Sequence, residues 1–149
     1  MFTNRHRKPN AALQPLRELA LFAGLSDTVL ARIDASMVEL RLDPGSVLTT
    51  EHEQGREAFI VADGVAEVRI AGRAVSSAAA GDLIGEMSLL DGGPRTATVV
   101  ALTPMRVYVL DPRQFAELFS DPHSAQRIAA NLSLRLRSIQ AAASPLAAA

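Results

Sequence analysis

The sequence predicts an α+β domain in which helices are followed by a rolled antiparallel β sheet and then by two more helices. Three observations carry this. Apolar residues are spaced like helix faces from Pro15 to about Ile33. From Val38 to Leu110 the chain breaks into short β-like runs separated by turn residues. After Asp111 the helical period returns. Several short strands at close spacing argue for a closed or rolled antiparallel sheet, and their segregation from the helices argues for α+β.

The elements follow in order. Residues 1–14 carry Arg5, His6, Arg7, Lys8 and Pro9 without a period, and are expected to be a flexible tail. The folded domain is expected over residues 15–140. Leu16, Leu19, Ala20 and Ala23 mark a first helix, with Pro15 in its first turn and Gly24 as its stop. Ser26 caps a second helix that carries Leu30 and Ile33. Val38–Leu42 alternates, Asp43-Pro44-Gly45 turns, and Val47-Leu48 starts the next strand. Asp63-Gly64, between Ala58–Ala62 and Val65–Ile70, reads as a hairpin turn. Ala71-Gly72 is another turn, before a short strand at Ala74–Ser77, and Gly81-Asp82 turns again. Thr96–Leu102 and Met105–Leu110 are strands on either side of Thr103-Pro104. Asp111-Pro112 opens a helix with Phe115, Leu118 and Phe119 on its apolar stripe. Asp121-Pro122 restarts the chain, and a last helix is expected from about Ser124 to Gln140, with Ile128, Leu132, Leu136 and Ile139 on one side. Residues 141–149, AAASPLAAA, are expected to be a flexible Ala-rich tail.

Composition narrows the function. The chain has 149 residues, 48% of them hydrophobic and 21% charged, which suits one domain with a real core. A net charge of -1 gives no global basic field for nucleic acid or an anionic membrane. Cysteine is absent, which removes disulfides and thiolate chemistry and is compatible with a cytoplasmic location. No apolar run is long enough to suggest a membrane span. His6, His52 and His123 are scattered, with no metal-ligand spacing, so no metal is expected. No Ser/His/Asp frame is evident either, so no catalytic residue is assigned and the chain is not expected to be an enzyme. Ser88 reads as a cap or spacer rather than a nucleophile, and the Asp82–Glu86 pair as turn and ligand chemistry rather than acid/base work.

The segment from Gly81 to Val99, GDLIGEMSLLDGGPRTATV, stands apart. It lies between two strands where a hairpin would suffice, yet it holds an apolar half-turn between glycine clusters. Glycine permits close approach of backbone to a ligand. A short helix starting at Glu86 would aim free N–H groups outward, and Arg95 adds a bidentate grip suited to phosphate. Taken singly, Glu86 reads as a first-turn acid and Arg95 as an exposed loop arginine.

Taken together, Gly85-Glu86-Met87-Ser88-Leu89 and Pro94-Arg95-Thr96-Ala97 resemble the phosphate-binding cassette of the cyclic-nucleotide-binding domain family. That domain occurs in bacterial cAMP receptor proteins, cAMP- and cGMP-dependent kinases and nucleotide-gated channels. Gly45, Gly55, Gly64, Gly72 and Gly81-Asp82 fall where the family places turn glycines, and the resemblance spans about Leu21 to Gln140. It implies an antiparallel eight-stranded, jelly-roll-like β-roll whose last helix acts as a lid over the base. It implies that Glu86 accepts a hydrogen bond from the ribose 2′-OH and that Arg95 pairs with the cyclic phosphate. The N–H groups near Met87, Ser88 and Thr96 would complete the cradle, while Gly85 lets the chain approach the sugar. Asn131, Ser133 and Arg135 are the candidates for base contacts. Two positions depart from the pattern: Ile84 replaces an aromatic and Ala58 a bulky residue.

The implied function is a sensor that binds cAMP, with cGMP as the alternative ligand and no cofactor. It would signal through C-terminal helix rearrangement to an unidentified effector protein. The last helix would pack on the roll or on a second copy, the latter giving a homodimer. Only residues 141–149 follow that helix, so direct DNA binding through a following helix-turn-helix is not expected. The competing reading is a degenerate, ligand-free domain of the same fold that serves structure or dimerisation.

Overall fold

A computed structural model describes residues 4–7 and 27–143. Its strands are β1 (Asn4–Arg7), β2 (Val38–Leu42), β3 (Val47–Thr49), β4 (Ala58–Asp63), β5 (Ala66–Ile70), β6 (Arg73–Ala78), β7 (Leu83–Ile84), β8 (Thr98–Ala101) and β9 (Met105–Leu110). Its helices are α1 (Asp27–Ser36), α2 (Glu86–Asp91), α3 (Pro112–Ser120) and α4 (Pro122–Ala143). One sheet has the order β1-β2-β9-β4-β7 and the other β3-β8-β5-β6. Every recorded pairing is antiparallel. The eight strands β2–β9 make the expected roll, and helices flank it. The expected first helix, its Gly24 stop and the Ser26 cap lie outside the described residues, as do residues 144–149.

The two sheets face each other across a core of Leu40, Leu42, Phe59, Val61, Val107 and Val109 against Leu48, Ala66, Val68, Val99 and Ala101. The outer face of the first sheet carries Ala58, Ile60, Tyr108 and Leu110, which pack on Leu30 and Ile33 of α1 and on Phe115 and Leu118 of α3. Strands β4 and β9 are therefore buried on both faces, which is why their sequences run apolar without alternating. On β2, next to the edge strand of this sheet, the buried Glu39 accepts from Arg106 Nη1 at 3.1 Å. A buried carboxylate without such a partner would be strongly destabilising.

Helix α3 begins as its sequence indicates. The Asp111 side chain accepts from Gln114 N at 2.8 Å, and Gln114 Oε1 accepts from Asp111 N at 2.9 Å, with Pro112 in the first turn. Helix α4 starts at Pro122, a little before Ser124, because Asp121 O accepts from Ala125 N at 3.0 Å and closes the first turn there. It packs against α3 and against β6.

Two expectations are corrected. The segment Asn4–Arg7, expected within a tail, is a strand that adds to the edge of β2, with Asn4 opposite Arg41 and Arg7 opposite Val38. An exposed strand edge offers a row of unpaired backbone groups, and pairing there needs no apolar period in the incoming segment. Asp63-Gly64 is not a hairpin turn, because β4 and β5 belong to different sheets. Gly64, at φ +95°, turns a corner from one sheet into the other. Corners at Asp43–Ser46 and Leu102–Pro104 sit beside it. Gly45 N donates to Ala101 O at 2.7 Å, and Leu102 N donates to Val65 O at 2.9 Å. The true hairpin is Ala71-Gly72, which joins Ile70 to Arg73. With the corners gathered at one end of the roll, the opposite strand ends at Thr49, Ala58, Ile84 and Thr98 frame the other.

Candidate functional site

At that other end, β7 pairs with β4, Ile84 opposite Phe59 and Leu83 opposite Ile60, and both β7 residues are buried. Gly85 follows at φ +82°, a left-handed conformation that L side chains rarely adopt, and it is the N-cap of α2. The turn is so tight that the strand passes straight into a six-residue helix with no side-chain cap. The first-turn amides, including those of Met87 and Ser88, therefore have no intrahelical acceptor and carry the positive end of the helix dipole. Gly92, at φ +70°, ends the helix by donating to Ser88 O at 3.0 Å.

Glu86 is fully buried in the first turn. One of its oxygens, Oε2, is enclosed without a hydrogen bond, while the residue itself interacts electrostatically with Arg95. Arg95 is also buried, at 7% exposure, and is not the exposed loop arginine its sequence surroundings suggest when read alone. Its backbone is fixed by a two-way exchange with the 51–57 loop. Arg95 N donates to Glu53 O at 2.8 Å, and His52 N donates to Arg95 O at 2.9 Å. The pairing continues toward β8, where Thr49 Oγ1 donates to Ala97 O and Glu51 N to Thr98 Oγ1, each at 2.9 Å. Residues 95–97 thus form an irregular extension, and β8 proper starts at Thr98 rather than Thr96.

The Arg95 guanidinium donates from Nη1 to Gly85 O at 3.1 Å, which ties the two halves of the cassette together. Burial pulls the guanidinium below its usual value, while the nearby Glu57 and Glu86 carboxylates pull it back up. An arginine stays charged through such a shift. The end of the roll therefore holds one buried cation and one buried carboxylate beside a helix N-terminus.

Of the sequence-predicted site residues, the structure brings Gly85, Glu86 and Arg95 together. Met87 is half-buried, Ser88 is buried, and Thr96 is exposed beside Arg95. Asn131 and Arg135 fall on α4, but their side chains lie outside the described residues; Ser133 is exposed. Sequence reasoning missed the 51–57 loop. Its one signal, Gly55, reads as a turn glycine, yet Gly55 is not among the positive-φ glycines. His52, which does adopt φ +72°, carries no sequence mark of it. Among the described residues no group of three His, Asp or Glu side chains could hold a metal ion.

The family model "Cyclic nucleotide-binding domain" matches residues 39–121, more than half of the chain, and includes both halves of the cassette. The chain belongs to the cyclic nucleotide-binding domain family. The resemblance drawn from the cassette residues is thereby confirmed, and so is the β-roll fold. Among similar members, the cAMP-dependent protein kinase regulatory subunit of Yarrowia lipolytica is 32% identical over 101 residues, which are 68% of this chain. The chain spans only 27% of that subunit's length. A solved structure of cAMP-bound PfPKA-R, residues 141–441, shares the fold at TM-score 0.78 and 21% identity, covering 87% of this chain and 45% of that one. The N-terminal domain of a transcriptional regulator from Streptomyces coelicolor is 35% identical at TM-score 0.61, covering 83% of this chain and 90% of that one.

Proposed function

We propose that this domain senses a cyclic nucleotide, with cAMP as its ligand and cGMP as the alternative. The observation that carries the reading is that buried Glu86 and buried Arg95 are brought together at Gly85, whose carbonyl accepts from Arg95, within a family-matched segment. Arg95 offers a desolvated, forked cation for a cyclic phosphate, and Met87, Ser88 and Thr96 offer backbone N–H groups around it. Glu86 offers an acceptor for the ribose 2′-OH. The preference for cAMP rests on the relatives, among them the Yarrowia lipolytica cAMP-dependent kinase subunit and cAMP-bound PfPKA-R.

The domain is proposed as a regulatory module rather than an enzyme, acting in the cytoplasm on an effector protein. Among the described residues no helix is long and apolar enough to cross a membrane. The signal would be a population shift. Phosphate bound at α2 would move that helix, and α3 with α4 would rearrange over the base, Asn131 and Arg135 meeting it from α4. Helix α4 rests on α3 and β6, so its motion would be felt by whatever packs on its outer side, an effector or a second copy.

The test is calorimetric titration of nucleotide-stripped protein with cAMP and cGMP, beside the Arg95→Ala variant. Saturable binding in the micromolar range, roughly −8 kcal/mol, is expected for the wild type. The variant should lose about 2–5 kcal/mol of it. Absence of heat with both nucleotides would overturn the reading and favour the ligand-free structural domain.

A further inference from the structure

Gly55 is unlike the other glycines at family positions. Gly45, Gly64, Gly72, Gly81 and Gly85 all have positive φ, so each is explained by its backbone conformation. Gly55 has no such torsion, so a positive φ is not what calls for glycine there. What a side chain would meet is Arg95: a Cβ built on Gly55 overlaps Nε, Cζ and Nη2 of the guanidinium. On the other edge of the same group, a Cβ built on Gly85 would lie 2.5 Å from Nη1 and 3.2 Å from Glu57 O. The guanidinium therefore sits in a slot whose two walls are glycine backbone.

We infer that Gly55 is a positioning residue for Arg95: the bare backbone at 55 and 85 forms a slot that fixes where the phosphate-binding guanidinium is presented. The backbone exchange with His52 and Glu53 sets where the Arg95 side chain starts, and the slot sets where it ends. Any side chain at 55 leaves the Arg95 backbone in place but expels its flexible end. The group then loses Gly85 O as an acceptor and faces solvent instead of the cassette. The cation would still be present but aimed elsewhere, and a displacement of about 1 Å is enough to forfeit most of an oriented contact.

This inference rests on the cyclic-nucleotide reading for its functional consequence but not for its geometry, and the experiment separates the two. Four proteins are compared: wild type, Gly55→Ala, Arg95→Ala and the double variant. In ligand-free protein the Arg95 Nε–H resonance is assigned by its disappearance in Arg95→Ala. It should move to the position and fast exchange of a solvated arginine in Gly55→Ala. In the titration with cAMP, Gly55→Ala should weaken binding by at least about tenfold, and in the Arg95→Ala background it should add no further loss. An unmoved resonance in Gly55→Ala overturns the slot, as does a loss that adds in full to that of Arg95→Ala, since Gly55 would then act independently of the arginine. If the wild type binds no cyclic nucleotide, the functional reading falls, and the resonance alone decides the slot.

Discussion

Arg95 and Glu86 carry opposite charges into a region where little of either meets water. Such groups are stabilising only while each has the other, or a ligand, to face. Glu86→Gln keeps the shape but removes the negative charge, so a ribose hydroxyl would meet a neutral acceptor. An affinity loss of about 1–1.5 kcal/mol is expected, the difference between a charged and a neutral acceptor, read by titration with cAMP. A different residue-scale strain sits at Ala71, whose φ of +52° suits glycine or asparagine better than alanine. With Gly72 at φ +78° it forms the two-residue turn between β5 and β6, where asparagine followed by glycine is the preferred pair. Ala71→Asn retains the N–H that donates to Glu51 Oε1 at 2.9 Å and, by relieving part of a left-handed cost of about 1–2 kcal/mol, should raise stability in a denaturant titration.

Among the elements, helix α3 shows local signal and tertiary packing in agreement. The capping box of Asp111 and Gln114 fixes its start, and Phe115 and Leu118 then face the outer side of β4 and β9. Asp111→Ala should therefore cost about 1 kcal/mol, seen as a lower unfolding midpoint with an unchanged m-value. Strands behave less transparently. The Asp63-Gly64 pair has the composition of a hairpin turn and the positive φ to match, yet it links strands of different sheets. A turn residue states that the chain reverses, not which strand it will pair with. The converse holds at Asn4–Arg7, whose polar sequence gives no period although β2 supplies a partner edge.

Across the whole molecule, the two sheets gather their corners at one end and the cassette at the other, and the helices pack outside the first sheet or along β6. A ligand gripping both Glu86 and Arg95 would hold α2, β7 and the 51–57 loop to one another, so binding should stabilise the domain as a unit. At nucleotide concentrations about a hundredfold above the dissociation constant, the stabilisation expected by mass action is roughly 2.7 kcal/mol. Thermal unfolding should show this as a rise of about 5–10 °C.

By itself the sequence determined the α+β class, most of the strands, the start of α3, and the Gly85-Glu86 and Arg95 halves of the cassette. These follow from period, turn chemistry and charge spacing, all of which act over a few residues. Only the tertiary structure decided which strands pair, that Arg95 is buried against the 51–57 loop, and that Gly55 is needed for close approach rather than for a turn. Those depend on residues as far apart as Gly55 and Arg95, brought into contact by the closing of the roll, and burial at such a place has no signature in the neighbouring sequence.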